Sequence, residues 1–214
     1  MHNGLVVVLL ANFKGLPFVW NIRLVSSILR HYALAFKPGP TSRPKDLYAP
    51  CMYNLGPCLP ADLDFNLHKS NSTYAIDLDF ARLELVFEKF RKVLTNSTHF
   101  AKTYVPLGSL SLHFIKAISP GEQVSIESRI LSYDDKWLFI LSRFFNQRSG
   151  QLKAMAVSRY VFKQGTKTVK PQFLIDECGF DSEHADRQTD SLQGQKIAKE
   201  ILDIEATLRQ HYAS

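Results

Sequence analysis

The chain has 214 residues, 45% hydrophobic and 12% aromatic, enough apolar side chain for one sizeable core. Charged residues make up 21% with no low-complexity tract, which excludes a largely disordered chain. The net charge of +6 comes entirely from residues 1–45, which hold six basic residues and no acid; the remainder carries 20 of each sign and lacks the basic face that a nucleic-acid backbone requires.

In chain order, the first feature is the apolar run Leu5–Ala11, too short to cross a bilayer as a helix. No Lys or Arg precedes it and no small-residue cleavage site follows, so it does not read as a signal peptide. After Pro17, helical spacing gathers Arg23, Ser26, Ser27, Arg30 and His31 on one side. Ile22, Leu24, Val25, Ile28, Leu29, Tyr32 and Phe36 gather on the other. An acid-free basic amphipathic helix predicts a membrane-surface element. The alternative is a helix whose apolar face packs on the main domain or on a partner subunit. An acid-poor N-terminus also suits a mitochondrial transit peptide. Lys37–Lys45, with three prolines and a glycine, then reads as a linker.

Ala49–Leu59 reads as a strand. From Ser72 to about Leu94 one helical stretch is apolar around most of its first half, so it must be largely buried. Four strand-type runs follow, at about Leu107–Ala117, Gln123–Tyr133, Lys136–Asn146 and Gln151–Phe162, with short turn signals between them. That spacing predicts antiparallel hairpins in a meander. Both faces of Trp137–Phe145 are apolar, which predicts a sheet covered on both sides or paired in an oligomer. His113, inside a strand run, reads as a core histidine. A polar tail follows Pro171, and the stripe Ile197, Ile201, Ile204, Leu208 predicts an amphipathic helix that starts near Asp190 or Ser191 and packs on the body. One helix wrapped by one curved antiparallel sheet is an α+β architecture, the hotdog fold. The chain thus divides into an N-terminal segment (1–36), a linker (37–45), a hotdog domain (46–170) and a C-terminal tail (171–214).

Three cysteines (Cys51, Cys58, Cys178) with no CxxC spacing predict buried thiols rather than disulfides or a zinc site. Polar groups crowd into Asp62–Tyr74, directly before the apolar helix. Asp62 and Asp64 suit an Asx turn or a cap. Asp64 with His68 lacks the nearby third ligand that a metal cage needs. No serine-hydrolase signature is present, and no metal or cofactor is expected. Asn71-Ser72-Thr73 and Asn96-Ser97-Thr98 match the glycosylation sequon, the first by coincidence with this polar cluster.

The pattern D-x-D-x-x-x-H-x-x-N-x-x-Y formed by Asp62, Asp64, His68, Asn71 and Tyr74 resembles the signature of hotdog acyl-CoA thioesterases of the 4-hydroxybenzoyl-CoA thioesterase type. With Asp79, Ala81 and Arg82 added, it is closer to the branch called thioesterase superfamily member six. The resemblance covers about residues 48–163; Lys69 and Ser70 stand where relatives commonly have Met and Asn. It implies an acyl-CoA thioesterase acting on a fatty or aromatic acyl thioester, in a homodimer with sites at the subunit interface. In it Asp64 is nucleophile or general base, Asp62 its electrostatic neighbour, and His68 a group that orients the loop or meets Asp64 or the substrate carbonyl. Asn71 caps the helix or fixes a water, Ser70 can cap in its place, and Tyr74 lines the acyl pocket. Lys69, Lys102 and Lys116 are the cations expected to meet CoA phosphates. The resemblance also implies the endoplasmic reticulum membrane. Two further readings share the fold: a non-catalytic acyl-lipid or partner-binding protein, and a hydratase or dehydratase with a committed Asp–His pair.

Overall fold

The computed structural model of the protein describes residues 12–35, 46–95, 103–180 and 188–212. The run 5–11, the linker 37–45, the second sequon and Lys102 lie outside the described residues. In chain order the elements are α1 (Val19–Ala35), β1 (Cys51–Pro57), α2 (Asn71–Leu94), β2 (Thr103–Tyr104), β3 (Leu107–Phe114), β4 (Gln123–Tyr133), β5 (Trp137–Asn146), β6 (Leu152–Gln164), β7 (Lys167–Val169), α3 (Pro171–Glu177) and α4 (Gln188–Tyr212). Short 3-10 turns stand at Phe13–Gly15 and Pro60–Asp62.

The sheet is antiparallel in every pairing, with β1, β4, β5 and β6 side by side and β3 beyond β6. β4, β5 and β6 form the expected hairpins. β3 departs from the meander: it pairs with β6, from Leu107 opposite Tyr160 to Phe114 opposite Ala154, and not with β4, the next strand in sequence. The reason is that β1 already occupies the free edge of β4, from Cys51 opposite Ser128 to Pro57 opposite Gln123. A two-residue turn signal such as Ser119-Pro120 marks where the chain bends, not which edge it reaches.

α2 lies in the hollow of this sheet. Its first half packs Tyr74, Leu78 and Ala81 against Ile126, Phe144, Ala154 and Ala156. Alternation along β6 directs Ala154, Ala156, Ser158, Tyr160 and Phe162 toward the helix, and the two alanines let it approach closely. Its second half packs Leu85, Phe90 and Val93 against Ile130, Ile140 and Phe162. The segment read as the start of a polar tail also enters this core, because α3 delivers Leu174 and Ile175, both fully buried, from the apolar triplet Phe173-Leu174-Ile175.

The convex face of the sheet is covered by α4, whose Ala198 and Leu202 meet Leu131, Phe139 and Val157. This accounts for the two apolar faces of β5. The helix sits so close that a Cβ on Gly194 would fall 2.1 Å from the Leu131 carbonyl oxygen. Cys51, Cys58 and Cys178 are all buried. Burial pushes the Cys51 thiol up to about 12 and the Cys58 thiol up to about 11. His113 is exposed on β3 beside Ser111, 3.1 Å from its hydroxyl, so it is not a core histidine.

α1 docks by its polar side, which departs from the alternative reading in which its apolar face packs on the main domain. Its polar side faces the body: Ser27 donates to Glu84 at 2.8 Å, His31 Nε2 stands 3.0 Å from the same carboxylate, and Arg30 bonds it too. The His31 ring stacks on Phe87 at 4.7 Å, and the Arg23 guanidinium lies 4.2 Å over the Phe80 ring. Phe18, Ile22, Val25 and Leu29 turn outward, from 53% to 75% exposed. Burial holds His31 below its usual 6.5, with Glu84 opposing. Docked α1 therefore binds fewer protons than free α1, so this contribution is full above pH 6.5 and is lost as the pH falls through the lowered value. Glu84→Ala removes the common acceptor, and the α1 amides are expected to lose about 2 kcal/mol of protection, roughly thirty-fold faster hydrogen exchange, while β5 amides hold. In the parent protein the same amides are expected to lose protection, measured against their intrinsic exchange rate, as the pH falls below 6.5; unchanged α1 protection in Glu84→Ala would contradict this docking.

Candidate active site

The turn ahead of α2 is built from the backbone outward. Asp64 N–H donates to the His68 carbonyl at 2.9 Å and Leu67 N–H to the Asp64 carbonyl at 3.1 Å, closing a tight loop over Asp64–His68. Leu63 and Lys69 form an antiparallel bridge at its base. Leu67 sits at φ 57°, a left-handed conformation unusual for a branched apolar residue. The Asp64 Oδ1 accepts the Asn66 N–H at 2.8 Å and the His68 N–H at 3.4 Å, an Asx turn. Its second oxygen makes no hydrogen bond among the described residues and the side chain is half-buried.

Asp62 has a different role. It is buried, and its Oδ2 accepts the Leu59 N–H at 2.9 Å and ion-pairs with Lys14 at 2.9 Å. Lys69 Nζ stands 3.7 Å from Asp62 and 2.6 Å from Asp77. Four charges from four segments, Lys14, Asp62, Lys69 and Asp77, are thus paired beneath the loop. Burial holds the Asp77 carboxyl above its ordinary range, with the Lys69 ammonium opposing. Sequence reasoning missed this cluster. The available signals were Lys69 in place of Met, and an acid (Asp77) on the apolar half of the helix; nothing local pointed to Lys14.

The expected site residues divide accordingly. Asp62, Asp64, His68, Ser70, Asn71 and Tyr74 all lie in the loop or on the first turns of α2. Asn71 is the first helical residue and Ser70 holds the N-cap position, so the cap is one residue earlier than the pattern implied. The Ser70 hydroxyl meets the Ser72 hydroxyl at 3.0 Å and caps no backbone N–H. First-turn N–H groups are therefore left without a side-chain cap. The His68 ring is exposed and meets Asp64 only through its backbone. Tyr74 is 2% exposed, packed edge-on against Phe114 and Phe144, and burial raises its phenol. Lys69, expected to meet a phosphate, is 3% exposed and held by two carboxylates, so it leaves that set; Lys116 is exposed and remains. Among the described residues no group of three His, Cys, Asp or Glu side chains is placed to hold a metal.

A polar turn at the head of a helix wrapped by a curved antiparallel sheet defines a hotdog domain. The family model of the thioesterase-like superfamily matches residues 58–186, and the chain belongs to that superfamily of thioester hydrolases. It is 33% identical to a probable thioesterase of Saccharomyces cerevisiae over 82% of this chain and 78% of the yeast protein. It is 31% identical to the protein THEM6 of Xenopus laevis over 54% of each chain. Among solved structures, a mutant of 4-hydroxybenzoyl-CoA thioesterase in complex with 4-hydroxybenzoyl-CoA superposes with a TM-score of 0.50 at 16% identity, covering 63% of this chain and all of that one. At that identity the likeness speaks for the fold.

The buried pair makes a checkable demand. Lys69→Met leaves Asp77 without its nearest cation and is expected to cost about 3–5 kcal/mol in urea denaturation, whereas Lys69→Met with Asp77→Leu recovers most of the loss. Equal losses in the single and double variants would show that the pair is not the source.

Proposed function

We propose that the protein hydrolyses a fatty or aromatic acyl-CoA, with Asp64 as the catalytic carboxylate. The observation that carries this is the Asp64 side chain: one oxygen is fixed by two backbone N–H groups, the other makes no hydrogen bond among the described residues, and its loop leads into a helix N-terminus without a side-chain cap. As general base Asp64 takes a proton from water while the hydroxide attacks the thioester carbonyl carbon. The developing oxyanion meets the first-turn N–H groups of α2 and the helix dipole. Collapse breaks the C–S bond, and the thiolate leaves with the proton that Asp64 took. Direct attack by Asp64 to give an acyl-enzyme anhydride, then hydrolysed, uses the same placement. Asp62, neutralised by Lys14, holds the loop.

The site is completed by a second copy. Phe65 and Leu67 on the loop tip are 93% and 67% exposed in the single chain, directly beside Asp64. The edge of β3 away from β6 carries no partner strand among the described residues. Apolar residues at a loop tip and an open strand edge both favour a covering partner. The hydratase reading is weaker, because the Asp64 carboxylate engages the His68 backbone and not its ring. The non-catalytic binding reading is an outcome of the test.

That test is thiol release from short, long and aromatic acyl-CoAs by the full chain, beside Asp64→Asn. Turnover is expected to fall about 10²-fold or more in the variant, and the protein to sediment at twice 24.4 kDa. Equal activity in both proteins removes Asp64 from catalysis. A silent panel in folded dimer leaves the binding reading.

The outward stripe of α1 supports attachment to a membrane surface, with the endoplasmic reticulum as the expected membrane and the mitochondrion as the alternative. No described helix is long and apolar enough to cross a bilayer, so the attachment proposed is in-plane. Ile22→Glu with Leu29→Glu is expected to abolish flotation with phospholipid vesicles; unchanged flotation would place the attachment elsewhere.

A further inference from the structure

Two cavities lie under α1, one of about 410 Å³ and one of about 400 Å³. The second is charged and borders the loop, with Lys14, Arg23, Asp62, Thr73 and Asp77 in its walls. The first is mostly apolar, with Leu24, Leu83, Val86, Leu94, Val105 and Leu107 around it. They share two residues, Trp20 and Asp79. End to end, the two cavities make a groove along α2 from Thr73 to Leu94, about 30 Å at the rise of an α-helix, divided by a seam at Trp20.

The seam is held from both sides. Trp20 comes from α1 and meets Phe80 of α2 edge-on at 6.4 Å. Asp79 ion-pairs with Arg82 at 2.7 Å, and Arg82, only 2% exposed, also donates to Ser158 at 2.8 Å. Asp79 and Arg82 are the part of the sequence pattern that the loop chemistry leaves unused. Their mutual neutralisation closes off the floor of the apolar chamber, so that no net charge meets a ligand there. Each chamber falls in the size range of small-molecule sites, and charged side chains are more numerous at the end beside the loop.

We propose that this groove takes a long acyl chain, its oxygen-bearing head in the charged chamber and its tail beyond the seam, and that Trp20 sets how far the tail enters. The reading rests on the acyl-thioester function only for the identity of the head. It makes α1 a wall of the binding site as well as a surface element. A long chain gains contact with every methylene that passes Trp20, and a short chain ends before it, so discrimination is built up per methylene. Shape and polarity suit the chain of a free fatty acid as well as that of a thioester.

The test uses the full chain and two variants. Trp20→Ala removes the seam at a residue already 37% exposed; Leu83→Trp fills the far chamber. Two readouts are taken: the ratio of palmitoyl-CoA to butyryl-CoA turnover, and the affinity for cis-parinaric acid, a fluorescent long-chain fatty acid, with melting followed by circular dichroism. Leu83→Trp is expected to lower both the ratio and the affinity by about tenfold, and Trp20→Ala to raise the ratio. Values within about twofold of the parent in both variants overturn the groove. If no acyl-CoA is turned over, the hydrolase reading fails by itself, and parinaric binding still decides: lost in Leu83→Trp it upholds the groove, unchanged it removes it. Should Leu83→Trp melt below the assay temperature, Trp20→Ala alone decides by the same readouts. Parinaric affinity altered without a change in the turnover ratio would restrict the groove to free fatty acids.

Discussion

A helix enclosed by a sheet along most of its length can offer unpaired backbone N–H groups only at its first turn. α2 is such a helix, and much of the molecule follows from that confinement. The sheet must curve to follow it, small residues must line β6 where it approaches, and the polar chemistry must gather at the Ser70 end. The loop Asp62–Ser70 is the consequence. It turns back on itself within a few residues, anchors one aspartate below and presents the other above.

Burial of so much apolar helix also determines how charge is treated. Asp77 and Arg82 are placed on α2 by the 3.6-residue repeat and both end up 2% exposed. Neither is tolerable alone. Asp77 is answered from outside the helix by Lys69, and Arg82 by Ser158 of β6 and by Asp79 three residues earlier on α2 itself. The first arrangement locks the loop to the helix, and the second seals the floor of the groove. Ionic groups here fix one geometry among many that the apolar contacts alone would permit.

What the sequence made legible follows period and length. The helix and the strands β4, β5 and β6 were readable because their apolar repeats run for ten residues or more, and the motif made the loop readable as a unit. Strand order was not, since β3 chooses its edge by what β1 leaves open. The burial of α3 was hidden in a triplet too short to show a period. The docking of α1 by its polar side was not legible for a different reason. A helical wheel reports which residues share a face, but Glu84, which attracts the polar face, lies more than fifty residues away. Lys14 is the same case: it looks like part of a cationic arm and serves as the counter-charge of Asp62. Within the site, the side chains that hold the loop in place, Lys14, Lys69 and Asp77, were harder to recognise than those of the motif.

The order of synthesis gives α1 two successive characters. Its polar face is held by Glu84, which leaves the ribosome after His31 by roughly three to ten seconds at ordinary elongation rates. Before Asp46 is added, residues 1–45 offer Arg23, Arg30 and His31 no acidic partner. The nascent arm is the cationic amphipath that its sequence describes and carries its charge toward any anionic surface nearby. Once the hotdog domain closes, Arg30 and His31 are paired with Glu84, and the apolar stripe stays exposed. The two sides of one helix are thus settled at different times, the polar side only after Glu84 has been made.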